Sequence, residues 1–90
     1  MKIDVKVFDV IHKTDEQFST GRITYYYLAA IKSDQIEVIK EVSYKEKITT
    51  ITYIFNVEVG TIIHFPDKKK YKISNINPKE NMIEIDTELS

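Results

Sequence analysis

Two histidines, His12 and His64, are the side chains of this chain best suited to acid–base catalysis or metal binding. They lie about fifty residues apart, and neither belongs to an H-x-x-x-H or H-x-H pair. A catalytic zinc site usually takes three protein ligands, so carboxylates would have to complete a site built on these two residues. The pattern favours a hydrogen-bonded or exposed histidine at each position, and we expect neither a metal nor a cofactor.

Three carboxylates, Glu84, Asp86 and Glu88, alternate with other residues near the C-terminus. Rows of carboxylates occur in metal sites and in glycosidase sites. The predicted strand register, however, places Lys72 opposite Asp86 and brings Lys70 within reach of Glu88. Opposite charges on neighbouring strands are typical of an exposed antiparallel face, so we interpret this row as structural.

Nucleophilic and phosphate-binding motifs are missing from the sequence. It contains no cysteine, and its two glycines, Gly21 and Gly60, lie too far apart to form a glycine-rich phosphate loop. Its serines lack the context of a nucleophile elbow, and two isolated histidines offer little to activate them. We therefore expect a protein that is not an enzyme.

The concentrated basic patch of the chain consists of Lys68, Lys69, Lys70 and Lys72. Together with Lys45 and Lys47, these side chains would form the contact surface of a nucleic-acid-binding protein. The net charge of −1 and the pI near 6.1 oppose that interpretation, because nucleic-acid modules usually carry a basic excess. The alternative is a hairpin tip whose lysines keep it soluble and discourage edge-to-edge pairing.

Length and composition indicate a single globular domain spanning residues 1–90, with 42% hydrophobic and 30% charged residues. The apolar runs are too short to span a membrane, and the alternating N-terminus is unlike a signal peptide, so we expect a cytoplasmic protein without membrane contact. Isoleucine (15 residues) and lysine (12 residues) are unusually frequent. Their codons are rich in A and T, which points to a low-GC bacterial or phage genome.

Alternation of apolar and polar residues, together with many β-branched residues, predicts an all-β fold. We expect a small antiparallel barrel or sandwich of about six to seven strands, SH3-like or OB-like in size, with at most one short helical turn. The predicted strands are 2–10, 23–32, 35–44, 48–59, 61–65, 71–76 and 82–88. Within 48–59, Ile51, Tyr53 and Phe55 share one face.

Two segments permit another interpretation. Residues 34–44 have apolar side chains at helical spacing behind Asp34, a residue that can cap a helix, although their β-branched content favours a strand. Residues 12–22 form the long polar connection of the chain. There the T-x-x-Q spacing of Thr14 and Gln17 predicts a single helical turn, with a mobile loop as the alternative.

The C-terminal third predicts a three-stranded meander. Proline-containing turns at 66–70 and 77–81 would pair Ile63 with Ile73 and Ile73 with Ile85. One face would then be apolar, with Phe65 and Tyr71 beside the three isoleucines, and the other would carry His64, Lys72 and Asp86. A register slip of one residue would exchange these faces.

The segment VGTIIHFPDKKKYKISNI, followed by IEID, resembles the hairpins of SH3-like barrels. The resemblance covers about a third of the chain. It implies a fold of that kind and no particular activity, because such scaffolds carry many functions.

Three consecutive tyrosines, Tyr25, Tyr26 and Tyr27, alternate between the two faces of a predicted strand. A two-residue turn near Ser33 would pair this strand with 35–44 and direct Tyr25 and Tyr27 into the core. The opposite face would then carry an apolar patch with a charged rim, which is typical of a surface that meets a partner. The patch and its rim consist of Tyr26, Leu28, Ile39, Glu37 and Glu41.

These observations lead to the hypothesis of a non-enzymatic protein-binding module that acts sterically on a protein partner or by self-association. Its size and composition would suit an accessory protein of a phage or mobile element, such as an inhibitor or an assembly adaptor. Two alternatives stay open. One is a small β-barrel that binds nucleic acid through the Lys68–Lys72 loop, and the other is an oligomeric protein that binds a small molecule.

Overall fold

The computed structural model describes residues 1–16, 21–65 and 69–87. In this part of the chain, alternating apolar and β-branched residues form eight strands. The strands are β1 (Lys2–Lys6), β2 (Val10–Glu16), β3 (Arg22–Ile31), β4 (Gln35–Tyr44), β5 (Lys47–Asn56), β6 (Ile62–His64), β7 (Lys70–Asn77) and β8 (Met82–Asp86). A short 3-10 turn, Pro78–Glu80, joins β7 to β8. No helical segment of the described residues is long and apolar enough to cross a membrane.

The strands form two antiparallel sheets of four strands each, with the orders β1-β8-β7-β6 and β2-β3-β4-β5. We call the first the short sheet and the second the long sheet. The prediction of an all-β protein with antiparallel pairing is confirmed. The expected strand number of about six to seven is wrong, and neither sheet closes into a barrel within the described residues.

The additional strand arises near the N-terminus, where residues 2–10 form no continuous strand. Phe8 has a positive φ of 77°, and the Asp9 N–H donates to the Lys6 carbonyl oxygen at 2.9 Å, which closes a turn. The chain then enters β2, so the polar connection predicted for 12–22 begins as a strand. Thr14, which was expected to begin a helical turn, pairs with Thr24 instead, so that prediction is wrong at this residue. Residues 17–20 of that connection lie outside the described residues, and Arg22 already belongs to β3.

Both sheets contribute side chains to one buried cluster. The long sheet supplies mainly the middle of β3 and the first half of β4, where Leu28 and Val38 are fully buried. The short sheet supplies Ile73 and Ile83, whose side chains are also fully buried. Burial of this shared apolar surface is the main stabilising contribution to the packing of the two sheets.

The C-terminal meander is confirmed in its facing and corrected in its register. Ile63, Ile73 and Ile85 are all buried, and Ile73 pairs with Ile85 as expected. Ile63, however, pairs with Tyr71 rather than with Ile73. This shift of two residues leaves the buried face unchanged because side chains alternate with a period of two. A bulge between Ile73 and Asn75 shifts the pairing of the rest of β7.

The strand interpretation of residues 34–44 is confirmed, since β4 covers Gln35–Tyr44 and pairs with β3 and β5 along its length. The prediction from the same hairpin that Tyr25 and Tyr27 face the core is wrong. Tyr26 is buried, whereas its neighbours Tyr25 and Tyr27 are half-buried on the opposite face of the long sheet.

A β-bulge at Ala29 causes this reversal. Ile31 pairs with Ile36, as a two-residue turn at Ser33 requires, but Leu28 pairs with Val38. One extra residue therefore lies on β3 between these pairs, and every residue on its N-terminal side changes face. The predicted turn was correct, and the unrecognised bulge moved Tyr26 and Leu28 inward.

Candidate functional site

The long sheet extends beyond the short sheet that covers it. Strands β3, β4 and β5 have 10 residues each, whereas β1 and β8 have 5 and β6 has 3. Opposite residues of an antiparallel pair share a face, so Tyr53 lies on the same side as its buried partner Val38. Tyr53 nevertheless keeps 38% of its surface exposed, and Ile51 keeps 47%. The core-facing side of β5 therefore carries apolar side chains that the core does not cover.

An apolar cavity of about 170 Å³ adjoins these exposed side chains. It is lined by Tyr26, Tyr53, Phe55, His64 and Phe65. The rings of Tyr53 and Phe55 stack with their centroids 6.4 Å apart, and Tyr26 meets Phe65 edge to face at 4.8 Å. Because a protein cavity of about 150 Å³ accepts benzene, this one has the size for an aromatic or branched aliphatic side chain.

The outer edge of β5 has no strand partner among the described residues, because β5 pairs with β4 alone. Its ten-residue sequence, KITTITYIFN, contains a single charged residue, Lys47. Ile48 and Ile54 are exposed on the face opposite to Ile51 and Tyr53. An unpaired strand of this kind presents a row of backbone N–H and C=O groups to which another strand can add.

The other edge strands in the described part of the chain are protected against such addition. β1 is short and carries three charges, Lys2, Asp4 and Lys6, in five residues. β6 has only three residues. β2 has a bulge between Val10 and His12. Short length, charge and bulges all discourage strand pairing, so β5 is the edge of these four that favours it.

His12 is buried among aromatic rings, two of which, Tyr26 and Phe65, also line the cavity. Its Nδ1 atom lies 2.9 Å from the Tyr71 hydroxyl, and its Nε2 atom lies 3.3 Å from the Thr14 hydroxyl. The imidazole also stacks on Phe65 with centroids 5.0 Å apart. The expectation of a hydrogen-bonded histidine is therefore confirmed for His12. His64, in contrast, is exposed and lines the cavity.

The partner patch predicted from the sequence is divided between the two faces of the long sheet. Tyr26 and Leu28 are 5% and 0% exposed, so the prediction that they form part of a surface patch is wrong. The half-buried remainder of the patch lies on the outer face and consists of Ile39, Glu37 and Glu41. There Ile39 is paired with Tyr27, which takes the position that Tyr26 was expected to hold.

The lysines of the predicted basic patch are exposed at Lys69, Lys70 and Lys72, while Lys68 lies outside the described residues. Tyr71 is half-buried and hydrogen-bonds with His12, which confirms that its ring points inward. The lysines therefore have no stacking ring among them at this position. Contact with nucleic acid through these lysines stays a hypothesis.

The row of carboxylates forms ion pairs at the short sheet. Asp86 lies opposite Lys72 as predicted, and its Oδ1 atom is 3.2 Å from the amino group of Met1. Glu84 forms an ion pair with Lys2 at 3.9 Å, and Glu88 lies outside the described residues. No group of three or more His, Asp or Glu residues in the described part of the chain is placed to hold a metal ion.

The two ends of β5 carry opposite charge. At the C-terminal end, an open polar cavity of about 360 Å³ is lined by Asp34, Asn56, Val57, Glu58 and Thr61. The Val57 N–H donates to the Asp34 carbonyl oxygen at 2.9 Å and holds these two segments together. Lys45, Glu46 and Lys47 lie at the N-terminal end, where all three are exposed and two lysines against one glutamate leave a net charge of +1. The edge strand thus runs from a basic end to an acidic end.

No family model, curated protein or solved structure matches this chain. The geometry of β5 and its cavity is therefore the feature that bears most directly on function. Sequence reasoning placed Ile51, Tyr53 and Phe55 on one face but did not predict that the short sheet would leave Ile51 and Tyr53 exposed. The available signal was the single charge in ten residues of KITTITYIFN, which is unusual for an edge strand.

Proposed function

We propose that this protein is a non-enzymatic protein-binding module that adds an extended segment of its partner to the edge of β5. The observation that carries the proposal is the exposure of both the edge and the two faces of a long, nearly uncharged strand. Main-chain hydrogen bonds would supply affinity, as in other proteins that bind by strand addition. This mechanism requires no chemical reaction, because the protein would act by covering part of its partner's surface.

Specificity would come from the aromatic cavity beside β5. Alternate side chains of an added strand point to the same face, so one of them would lie above Tyr53 and Phe55 on the core-facing side. Aromatic or branched aliphatic side chains fit both the volume and the apolar lining. Buried anchors of this kind usually dominate the binding energy of an interface.

A protein partner fits this surface better than a nucleic acid does. Lys47 is the single charged side chain of β5, the large uncharged side chains exposed on it are apolar, and the chain has a net charge of −1. A phosphate backbone would gain little here because its affinity depends mainly on basic residues. The exposed lysines at 69, 70 and 72 belong to the short sheet and its hairpin, and are not part of β5.

Photo-crosslinking in cells of the source organism tests the proposal. The probe p-benzoylphenylalanine replaces Tyr53, and the matched control carries it at Ile62, an edge-strand residue with 45% exposure. We expect a discrete crosslinked protein from position 53 alone. Adding Ile51→Lys should lower its yield about tenfold or more, because a buried charge would replace an apolar contact. Equal crosslinking from both positions, or crosslinking unaffected by Ile51→Lys, would contradict the proposed function.

A further inference from the structure

We propose that the strand bound by β5 is β5 of a second copy of this chain, so that two copies form an antiparallel dimer. The inference rests on the proposed function, since it names the occupant of the same edge. The two long sheets would then become one continuous sheet across the molecular two-fold axis. Such an interface is isologous, with the same surface contributed by each copy.

Side-chain alternation allows this arrangement without conflict. A two-fold axis perpendicular to the sheet brings the core-facing side of one β5 beside the core-facing side of the other. Because side chains alternate, an odd-numbered residue can then lie only opposite an odd-numbered one, and an even-numbered residue only opposite an even-numbered one. Two registers centre the pairing on β5. In one, Ile51 lies opposite Ile51 of the second copy, and in the other Thr52 lies opposite Thr52. In the Thr52 register, Ile51 also lies opposite Tyr53, a favourable β-branched and aromatic pair.

The exposed apolar residues of β5 would be covered best by a partner strand that has apolar side chains on both faces. Ile51 and Tyr53 are exposed on one face, and Ile48 and Ile54 are exposed on the other. A strand with one polar face would cover only half of these residues. β5 itself has apolar side chains on both faces and one charge in ten residues, so it matches its own edge.

Charge favours the antiparallel orientation. Lys45, Glu46 and Lys47 give the beginning of β5 one net positive charge, and Asp34 and Glu58 give its end two negative charges. Antiparallel pairing brings the basic end of each copy beside the acidic end of the other, and this occurs twice in the dimer. Complementary charge of this kind fixes orientation and suppresses incorrect pairing. The net charge of −1 per chain adds little repulsion between copies.

The exposed length of β5 gives the dimer its interface. A stable complex usually buries about 800 Å² on each partner. Pairing at β5 would cover a strand that is exposed along nearly its whole length.

Sedimentation equilibrium of the purified chain tests the dimer over a series of concentrations. The wild-type chain should approach twice the chain mass of 10.6 kDa. Ile51→Lys should raise the dimer Kd by about 100-fold, because two like charges would meet near the two-fold axis. Ile62→Lys is the matched control and should leave the Kd unchanged. Thr52→Lys provides a second test at the same edge in case Ile51→Lys fails to fold.

Charge reversal distinguishes a second copy from another protein. Lys47→Glu and Glu58→Lys should each weaken the dimer several-fold, and the double variant should recover wild-type affinity. Recovery requires that both ends of the interface belong to the same kind of chain. A different partner would keep its own charges and would bind the double variant poorly.

Engineered cysteines give an independent readout, because the natural chain has none. Opposed residues in an antiparallel pair have Cα atoms about 4.5–5.5 Å apart, within the range of a disulfide. Oxidation should therefore crosslink Ile51→Cys or Thr52→Cys to itself, and Ile62→Cys should form no disulfide crosslink although it still dimerises.

A wild-type chain that is monomeric at every concentration would overturn the dimer. If crosslinking from position 53 then still captured a different protein and depended on Ile51, the proposed function would stand with another partner. Loss of both results would reject both proposals.

Discussion

Leu28 and Val38 lie opposite each other across β3 and β4, and both side chains are fully buried between the sheets. Closer to the turn of the same hairpin, Ala30 lies opposite Glu37. Regular pairing from Leu28 would place Ala30 opposite Ile36, so Ala29 is the extra residue of a bulge. This single residue determines which of the three consecutive tyrosines enters the core.

Alanine substitution of adjacent tyrosines tests the facing of β3. Tyr26→Ala should lower the free energy of unfolding by about 3–5 kcal/mol, because it removes a buried ring and leaves a cavity. Tyr25→Ala should cost only about 1 kcal/mol, since that ring is half-buried on the outer face. Urea denaturation followed by circular dichroism measures both. A larger loss for Tyr25→Ala than for Tyr26→Ala would mean that Tyr25 faces the core, as unbroken alternation predicts.

Deletion of Ala29 should be tolerated better than deletion of Tyr27 in the same strand. Without Ala29, the pairs Leu28–Val38 and Ile31–Ile36 can both persist in a regular hairpin. We expect a folded protein with a loss of about 1–2 kcal/mol from the altered local twist. Deleting Tyr27 should unfold the chain or change its register, because Tyr26 would lose its facing. The measurements are a denaturation midpoint and amide chemical shifts for both deletions.

A double-mutant cycle measures the buried contact between His12 and Tyr71. Tyr71→Phe removes the hydroxyl that lies 2.9 Å from His12 Nδ1 and should cost about 0.5–1.5 kcal/mol. With His12→Phe as the second change, the coupling energy should be about 0.5–3 kcal/mol, as is usual for residues in contact. Thermal or urea unfolding of the four proteins measures it. Additive losses would show that the two side chains are energetically independent.

The turn between β4 and β5 offers a stabilising substitution. Tyr44 pairs with Lys47, and the two residues between them, Lys45 and Glu46, have positive φ of 47° and 65°. This conformation suits a type I′ turn and costs a non-glycine residue about 1 kcal/mol or more. Glu46→Gly should raise the free energy of unfolding by about 1 kcal/mol and keep the contact of Lys45 with the Tyr44 ring. Glu46→Ala, the control, should bring no such gain.

Some features of the candidate site were readable from the sequence and others were not. The shared face of Ile51 and Tyr53 follows from a period of two and is observed in β5. Their exposure depends on how far the short sheet reaches across the long one, and the low charge of KITTITYIFN does not measure that reach. The type I′ turn also escaped prediction, because Lys45 and Glu46 are not residues that favour it.

The sequence by itself determined the β class, the strand in residues 35–44 and the buried row of Ile63, Ile73 and Ile85. These features are local, because the extended backbone places alternate side chains on opposite faces. Tertiary structure alone decided the bulge at Ala29, the division into two sheets and the uncovered side of β5. Each of these depends on contacts between residues distant in the chain, where packing of the whole core outweighs local pattern.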